Sequence, residues 1–177
     1  MGLWRMSWKS VCLIVLSWMT GFTIGAYAKS IYESTSFQPY SWQKNSLPIV
    51  ANCYGKDFSK TQIMRAIDYW VIRGENIELY LHNPPDEICK NEWLEGFILL
   101  KKLKNSKYHQ SVLANTRRFT SITTMKGAVI YYRSGSQNLY LINEHELGHA
   151  FGYTHVDIKG HIMHPSFQHM GNDFWSP

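Results

Sequence analysis

The period of hydrophobic and polar positions changes several times along the chain, and each change predicts an element. Leu47 to Tyr54 (LPIVANCY) has the length and β-branched content of a buried strand, and Gly55-Lys56-Asp57 turns the chain. Ile63, Ala66, Ile67, Trp70 and Val71 then recur with the i, i+3, i+4, i+7 spacing of an amphipathic helix. Ser59 with Gln62 resembles a capping box at its start, and Gly74 closes it. Ile77 to Leu81 (IELYL) predicts the next strand, stopped by Asn83-Pro84-Pro85. A strand, helix and strand of these lengths form a right-handed crossover, so the first two strands are expected to be parallel. No period emerges from Asp86 to Trp93. Phe97 to Leu100 fits a third strand or a helix running into Lys104. Val112 to Phe119 (VLANTRRF) predicts a strand whose polar content suits an exposed edge. Ala128 to Tyr132 (AVIYY) predicts a buried strand, and Ser134-Gly135-Ser136 a turn. Asn138 suits the N-cap of a helix over Leu139 to Phe151, with a start at Asn143 as the alternative.

Composition bounds what this pattern can build. With 177 residues, 45% of them hydrophobic, there is material for one domain with a sizeable core and little for a second. The first 28 residues have the grammar of an export signal. Arg5 and Lys9 form a positive end, Val11 to Ile24 is largely apolar, and Ala26-Tyr27-Ala28 is a small-x-small cleavage site before Lys29. The alternative is an uncleaved anchor, since Val11 to Ala28 is just long enough to span a bilayer. Residues 29–46 show no period and read as an extended lead-in, which leaves 47–177 as the folded domain.

Export changes the charge and cysteine readings. Removing Arg5 and Lys9 lowers the net charge from +5 to +3, too mild and too scattered to argue for nucleic acid. Lys101, Lys102, Lys104 and Lys107 make the nearest approach to a basic patch and read as a solvated face. Loss of the leader also removes Cys12 and leaves Cys53 and Cys89. In an oxidising compartment an even pair is most simply a disulfide, the alternative being a metal-binding or inhibitory thiol.

The chemistry concentrates in HELGHAFGYTH, from His145 to His155. Histidines four apart in a helix share a face, so His145 and His149 can reach one metal ion together. Glu146 follows the first histidine by about 100° of helix rotation, which sets its carboxylate beside an open coordination position. Gly152 supplies a left-handed stop, so the chain can turn back and deliver His155 as a third ligand. The plain alternative is an amphipathic helix with surface histidines.

HELGHAFGYTH is similar to the HExxHxxGxxH signature of the metzincin zinc metallopeptidases, and Met163 follows His155 by eight residues in GHIMHP. That segment resembles the metzincin Met-turn, and its Met-x-Pro form is closest to the matrixins. The apolar QNLYLINE ahead of the motif and the order of elements are also similar to a matrixin. The likeness covers about 47–165 and is strongest from Asn138 to Pro165. It implies an α+β fold with α/β character: a twisted, mostly parallel five-stranded sheet whose one antiparallel edge strand borders the cleft, a backing helix, an active-site helix and a short C-terminal subdomain. It implies Zn²⁺ on His145, His149 and His155, a general base at Glu146 and a hydrophobic floor at Met163. It also implies a primed-side pocket along Met163 to Phe167 that favours a hydrophobic residue after the scissile bond. Two positions depart from the matrixin pattern: Val156 stands for the usual serine and His164 for a common tyrosine; Pro165 stands where astacin-like metzincins place a tyrosine, so no tyrosine switch is expected. Only 12 residues follow Pro165, so the C-terminal helix is expected to be short or absent.

The expected function is a secreted or periplasmic zinc endopeptidase acting on protein or peptide substrates. It is expected to be a monomer that binds no nucleic acid and meets a membrane only if the leader is retained. A zinc-binding module without turnover is the alternative from another class, although a bare zinc site needs no Glu146. His164 fits a packed or surface histidine better than an oxyanion donor, as do His82, His109, His161 and His169.

Overall fold

A computed structural model describes residues 38–43, 45–104 and 112–174. The expected leader, most of the lead-in, Lys107 and His109 lie outside the described residues. Among the described residues, no helix is long and apolar enough to cross a membrane.

Eight elements follow one another: β1 (Ile49–Asn52), α1 (Lys60–Val71), β2 (Leu79–Leu81), α2 (Asp86–Lys90), β3 (Phe97–Lys102), β4 (Ala114–Ser121), β5 (Thr124–Tyr132) and α3 (Ile142–Phe151). The five strands form one sheet in the order β2-β1-β3-β5-β4. β2, β1, β3 and β5 are mutually parallel, and β4 runs antiparallel to β5 at the edge. The crossover through α1 makes β1 and β2 parallel neighbours, as the strand-helix-strand pattern predicts.

Alternation along β1, β3 and β5 divides the core. Val50, Ile98, Leu100, Ala128, Ile130 and Tyr132 face the layer of α1 and α3. Ala51, Leu99 and Val129 face the other way, toward Ile88 and Cys53. On that second face Cys53 and Cys89 form a disulfide across a separation of 36 residues. Closing a loop of that length stabilises the fold by about 3–4 kcal/mol in the chain-entropy account.

Several expectations shift at their edges. α1 begins where Ser59 Oγ accepts from the Gln62 amide at 3.4 Å, but Gln62 Oε1 returns no bond, so only half the capping box forms. Phe97 onward is a strand, not a helix, and extends to Lys102. The unassigned stretch after Pro85 contains the short helix α2, with Asp86 and Glu87 in its first turn and Lys90 in its last. Lys101 is not simply solvated: its ammonium donates to the carbonyls of Cys89 in the last turn of α2 and of Asn91 just past it, and burial lowers its pKa.

The largest correction concerns the start of α3. Asn138 does not cap a helix from Leu139; residues 136–138 form a 3-10 turn and α3 starts at Ile142, close to the alternative start. A helix from Leu139 would place Leu139 and Leu141 about 200° apart, so both could not reach the core. Leu141 takes a left-handed φ of 62° instead. Leu141 and Ile142 are then buried and Leu139 packs on the same core, while Tyr140 points to solvent. Past Pro165 the described residues form a 3-10 turn, Phe167–His169, and a bridge from Asp173 back to His161.

The described part of the lead-in is extended and docked. Ser41 bridges Thr124, Trp42 Nε1 donates to the Ala150 carbonyl, and Gln38 Nε2 donates to the Phe151 carbonyl and to Glu75. It crosses the end of α3.

Candidate active site

α3 runs along the edge of the sheet with β4 beside it. Gly148 sits against the fully buried Trp70 and Met163, and a Cβ there would lie only 2.5 Å from Trp70 Cζ2. This contact seats the helix. Trp70 is fixed in turn by its Nε1 donating to the Glu144 carbonyl at 2.7 Å and by stacking on Tyr153. The Glu144 carboxylate is buried and paired with Arg65 Nε at 2.9 Å.

His145 and His149 stand one turn apart on α3, as their spacing requires. Gly152 ends the helix at φ 106°, in the left-handed region. The Tyr40 carbonyl of the lead-in occupies the space its Cβ would need, so two independent constraints demand glycine. The chain then returns His155 to the other histidines. One nitrogen from each of the three lies within 4.8 Å of the others, and the Nε2 atoms of His149 and His155 are 3.1 Å apart.

Hydrogen bonds fix the tautomers. His145 Nδ1 pairs with the Ile162 carbonyl and His149 Nδ1 with the Tyr153 carbonyl, both at 2.8 Å. A carbonyl only accepts, so each Nδ1 carries the proton and each Nε2 offers its lone pair. Burial, with weaker contributions from the neighbouring histidines, lowers the pKa of His145 to about 4 and of His149 to about 3. Burial, Arg118 and His164 lower that of His155 as well. Three neutral imidazoles with converging lone pairs are the donor set of an open zinc site, and they fit Zn²⁺.

Glu146 is also buried, which pushes its pKa up to about 7, opposed by a hydrogen bond from Thr116. Thr116 Oγ1 lies 2.6 Å from Glu146 Oε2 and donates to it. The other carboxylate oxygen makes no hydrogen bond among the described residues. Nothing in the sequence singled out Thr116. It reaches Glu146 because β4 is the edge strand, and Ala114, Thr116 and Arg118 share one of its faces.

Met163 is fully buried under Gly148, between the two helix histidines in sequence, where the Met-turn likeness places a floor. His164 is buried and lines the cleft, with Nε2 3.2 Å from Asp157 and Nδ1 accepting from the Ser166 amide. Those bonds favour the packed reading. His161 is buried and accepts from the Met163 amide, His82 pairs with the Tyr80 hydroxyl, and His169 is exposed; none joins the three-histidine cluster.

An open cleft of about 1170 Å³ runs between β4 and the 164–170 segment, with His145, Glu146, His149 and His155 in its wall. Of the segment from Met163 to Phe167, residues His164 to Phe167 line it, whereas Met163 is fully buried and does not.

This arrangement, an edge-strand cleft over three histidines whose nitrogens could hold one metal ion, with a buried carboxylate alongside, is that of a metallopeptidase of the metzincin type. The matrixin family model matches residues 42–175, and the chain belongs to that family of zinc metallopeptidases. The match reaches beyond the 47–165 likeness at both ends. No functionally curated protein matches the chain as a relative.

Proposed function

We propose that this protein is an exported zinc endopeptidase in which His145, His149 and His155 hold the metal and Glu146 is the general base. The observation that carries this reading is a carboxylate beside three converging imidazoles in the wall of a cleft open along an edge strand. Zn²⁺, when bound, supplies Lewis acidity that lowers a water's pKa to about 7 and polarises a carbonyl. Glu146 accepts the water's proton and returns it to the leaving amine, while Thr116 holds Oε2 and leaves the other oxygen free for the transfer. No serine or cysteine nucleophile is required.

The substrate is an extended peptide lying along β4, and the chain acts as a monomer. Leu113, Ile142, Pro165 and Phe167 give the cleft an apolar part of its lining, which supports a hydrophobic residue just after the scissile bond. The leader is removed after Ala28, which places the protein in the periplasm or outside the cell. Intact mass beginning at Lys29 in exported material supports this, and an intact Met1 in a membrane fraction refutes it.

The test of mechanism is Glu146→Gln, which keeps size and hydrogen-bonding capacity but has no base at neutral pH. General-base assistance is worth about 10²–10⁴-fold, so hydrolysis of a fluorogenic peptide library should fall by that factor while one zinc per chain is retained. Hydrolysis at the wild-type rate by Glu146→Gln refutes the mechanism. A wild type that binds zinc but cleaves nothing in the library establishes the non-catalytic module instead.

A further inference from the structure

The two ends of the cleft differ in charge. β4 runs alongside α3 in the same sense. Near its start, Leu113 lies by Ser136, which donates to its carbonyl. The middle residue Thr116 meets Glu146, and Arg118 lies by the C-terminus of α3. The apolar Leu113 and Ile142, the first residue of α3, therefore stand at one end and a guanidinium at the other. At that second end a further cavity of about 410 Å³ continues from the cleft, sharing Asn115, Thr116 and Arg118 with it and adding Tyr40, Arg117 and Thr120. Among the described residues, no carboxylate lines this cavity.

Arg118 is held but not used up. Its guanidinium packs 5.2 Å from the centre of the Tyr40 ring. Nη1 donates to the Gly152 and Tyr153 carbonyls at 3.5 and 3.4 Å, both long bonds. Among the described residues Nε and Nη2 donate to nothing and Arg118 forms no ion pair. The neighbouring Arg117 is different, because it pairs with Glu92. Arg118 thus presents an oriented fork of free N–H donors, the geometry that takes a carboxylate in bidentate fashion.

We infer that Arg118 with Tyr40 forms an acidic-residue subsite, so the peptidase prefers substrates carrying Glu or Asp two or three residues before the scissile bond. The side follows from the proposed function: with the hydrophobic residue after the scissile bond at the Leu113 end, the residues before it lie toward Arg118. The distance follows from strand geometry, since Arg118 is two residues, about 7 Å, beyond the Thr116 that touches Glu146.

The test separates this subsite from catalysis by measuring binding as well as turnover. Fluorescein-labelled peptides with Glu or Gln at each of the three positions before the scissile bond are titrated onto zinc-loaded Glu146→Gln protein. Cleavage of the same peptides is followed with wild type. Glu two or three residues before the scissile bond should bind and be cleaved about 3–10-fold better than Gln, Glu immediately before it should give no such gain, and the ratio should shrink with added salt. Arg118→Gln should bring the Glu-to-Gln ratio to one, whatever it does to the absolute affinity and rate for the Gln peptides. Arg118→Lys should keep part of it, and Arg118→Glu should reverse it toward Lys peptides. Should Arg118→Gln lose its fold, as judged by circular dichroism, the wild-type ratio and Arg118→Lys still decide. Equal handling of Glu and Gln peptides by wild type overturns the subsite, as does a Glu preference that survives in Arg118→Gln. A Glu preference in binding with no turnover of any peptide upholds the subsite and refutes the endopeptidase reading instead.

Discussion

Gly148→Ala sets two energies of opposite sign against each other, and the structure decides between them. In a helix interior, alanine is favoured over glycine by about 1 kcal/mol, so a reading from propensity alone makes the change stabilising. The new Cβ would lie 2.5 Å from Trp70 Cζ2 and 3.1 Å from Cη2, with Met163 Sδ also inside contact distance. Carbon atoms in contact prefer about 3.5–4.0 Å, so roughly 1 Å must be opened. Neither neighbour has free room: Trp70 and Met163 are both fully buried. Trp70 is tied to the Glu144 carbonyl and packed by Tyr153, Phe151 and Phe174. Overpacking of this kind costs about 1–3 kcal/mol and here falls at the upper end, so the net effect is a loss of about 1–2 kcal/mol. The strain is relieved by α3 lifting from Met163, which also displaces His145 and His149 from His155. Urea unfolding followed by tryptophan fluorescence reads the loss as a lower midpoint at unchanged slope. A double-mutant cycle with Met163→Ala locates its origin. That variant alone should cost about 2–5 kcal/mol through its cavity, and the pair should cost less than the sum by about 1 kcal/mol. A Gly148→Ala protein as stable as wild type, or more stable, refutes the packing argument.

Thr116→Val removes the hydroxyl that holds Glu146 Oε2 while keeping the side chain's shape. It should lower kcat by about 10-fold with little change in KM, and Thr116→Ser should restore most of it; a valine variant with wild-type kcat excludes a positioning role. Glu75 has a raised pKa because burial outweighs the hydrogen bonds from Tyr153 and Gln38. Its folded pKa lies above the unfolded value, so the folded state binds more protons. Stability therefore falls as pH rises from about 4.5 through the folded pKa and is flat above it. The melting temperature of Glu75→Gln minus that of wild type should accordingly grow between pH 4 and 7, and a constant difference contradicts the assignment.

What the sequence determined by itself is local. The stripe of Ile63, Ala66, Ile67 and Trp70 forms α1 because a period of 3.6 leaves one apolar face, although Val71 at its margin is exposed, and Ala128 to Tyr132 forms a buried strand. His145, His149 and the stop at Gly152 are likewise fixed by helix geometry and by glycine's access to left-handed φ. Even the return of His155 was legible, because only a turned chain brings it back.

Tertiary structure decided everything that depended on which elements meet. Leu139 and Leu141 both belong to the core, and that demand overrides the cap signal at Asn138 and delays α3 to Ile142. α2 is too short for a period to show, and it is sited where Ile88 and Cys89 reach the far face of the sheet. Gly148 reads as a weak point in a helix until Trp70 and Met163 are seen against it. Thr116 and Arg118 look like the polar residues of an exposed edge. They acquire partners only because β4 pairs antiparallel with β5 and so lies along α3, a contact between residues some thirty positions apart in the chain. Periodicity reports which face of an element is buried; it carries no information about the element that buries it, and the cleft is made of such pairings.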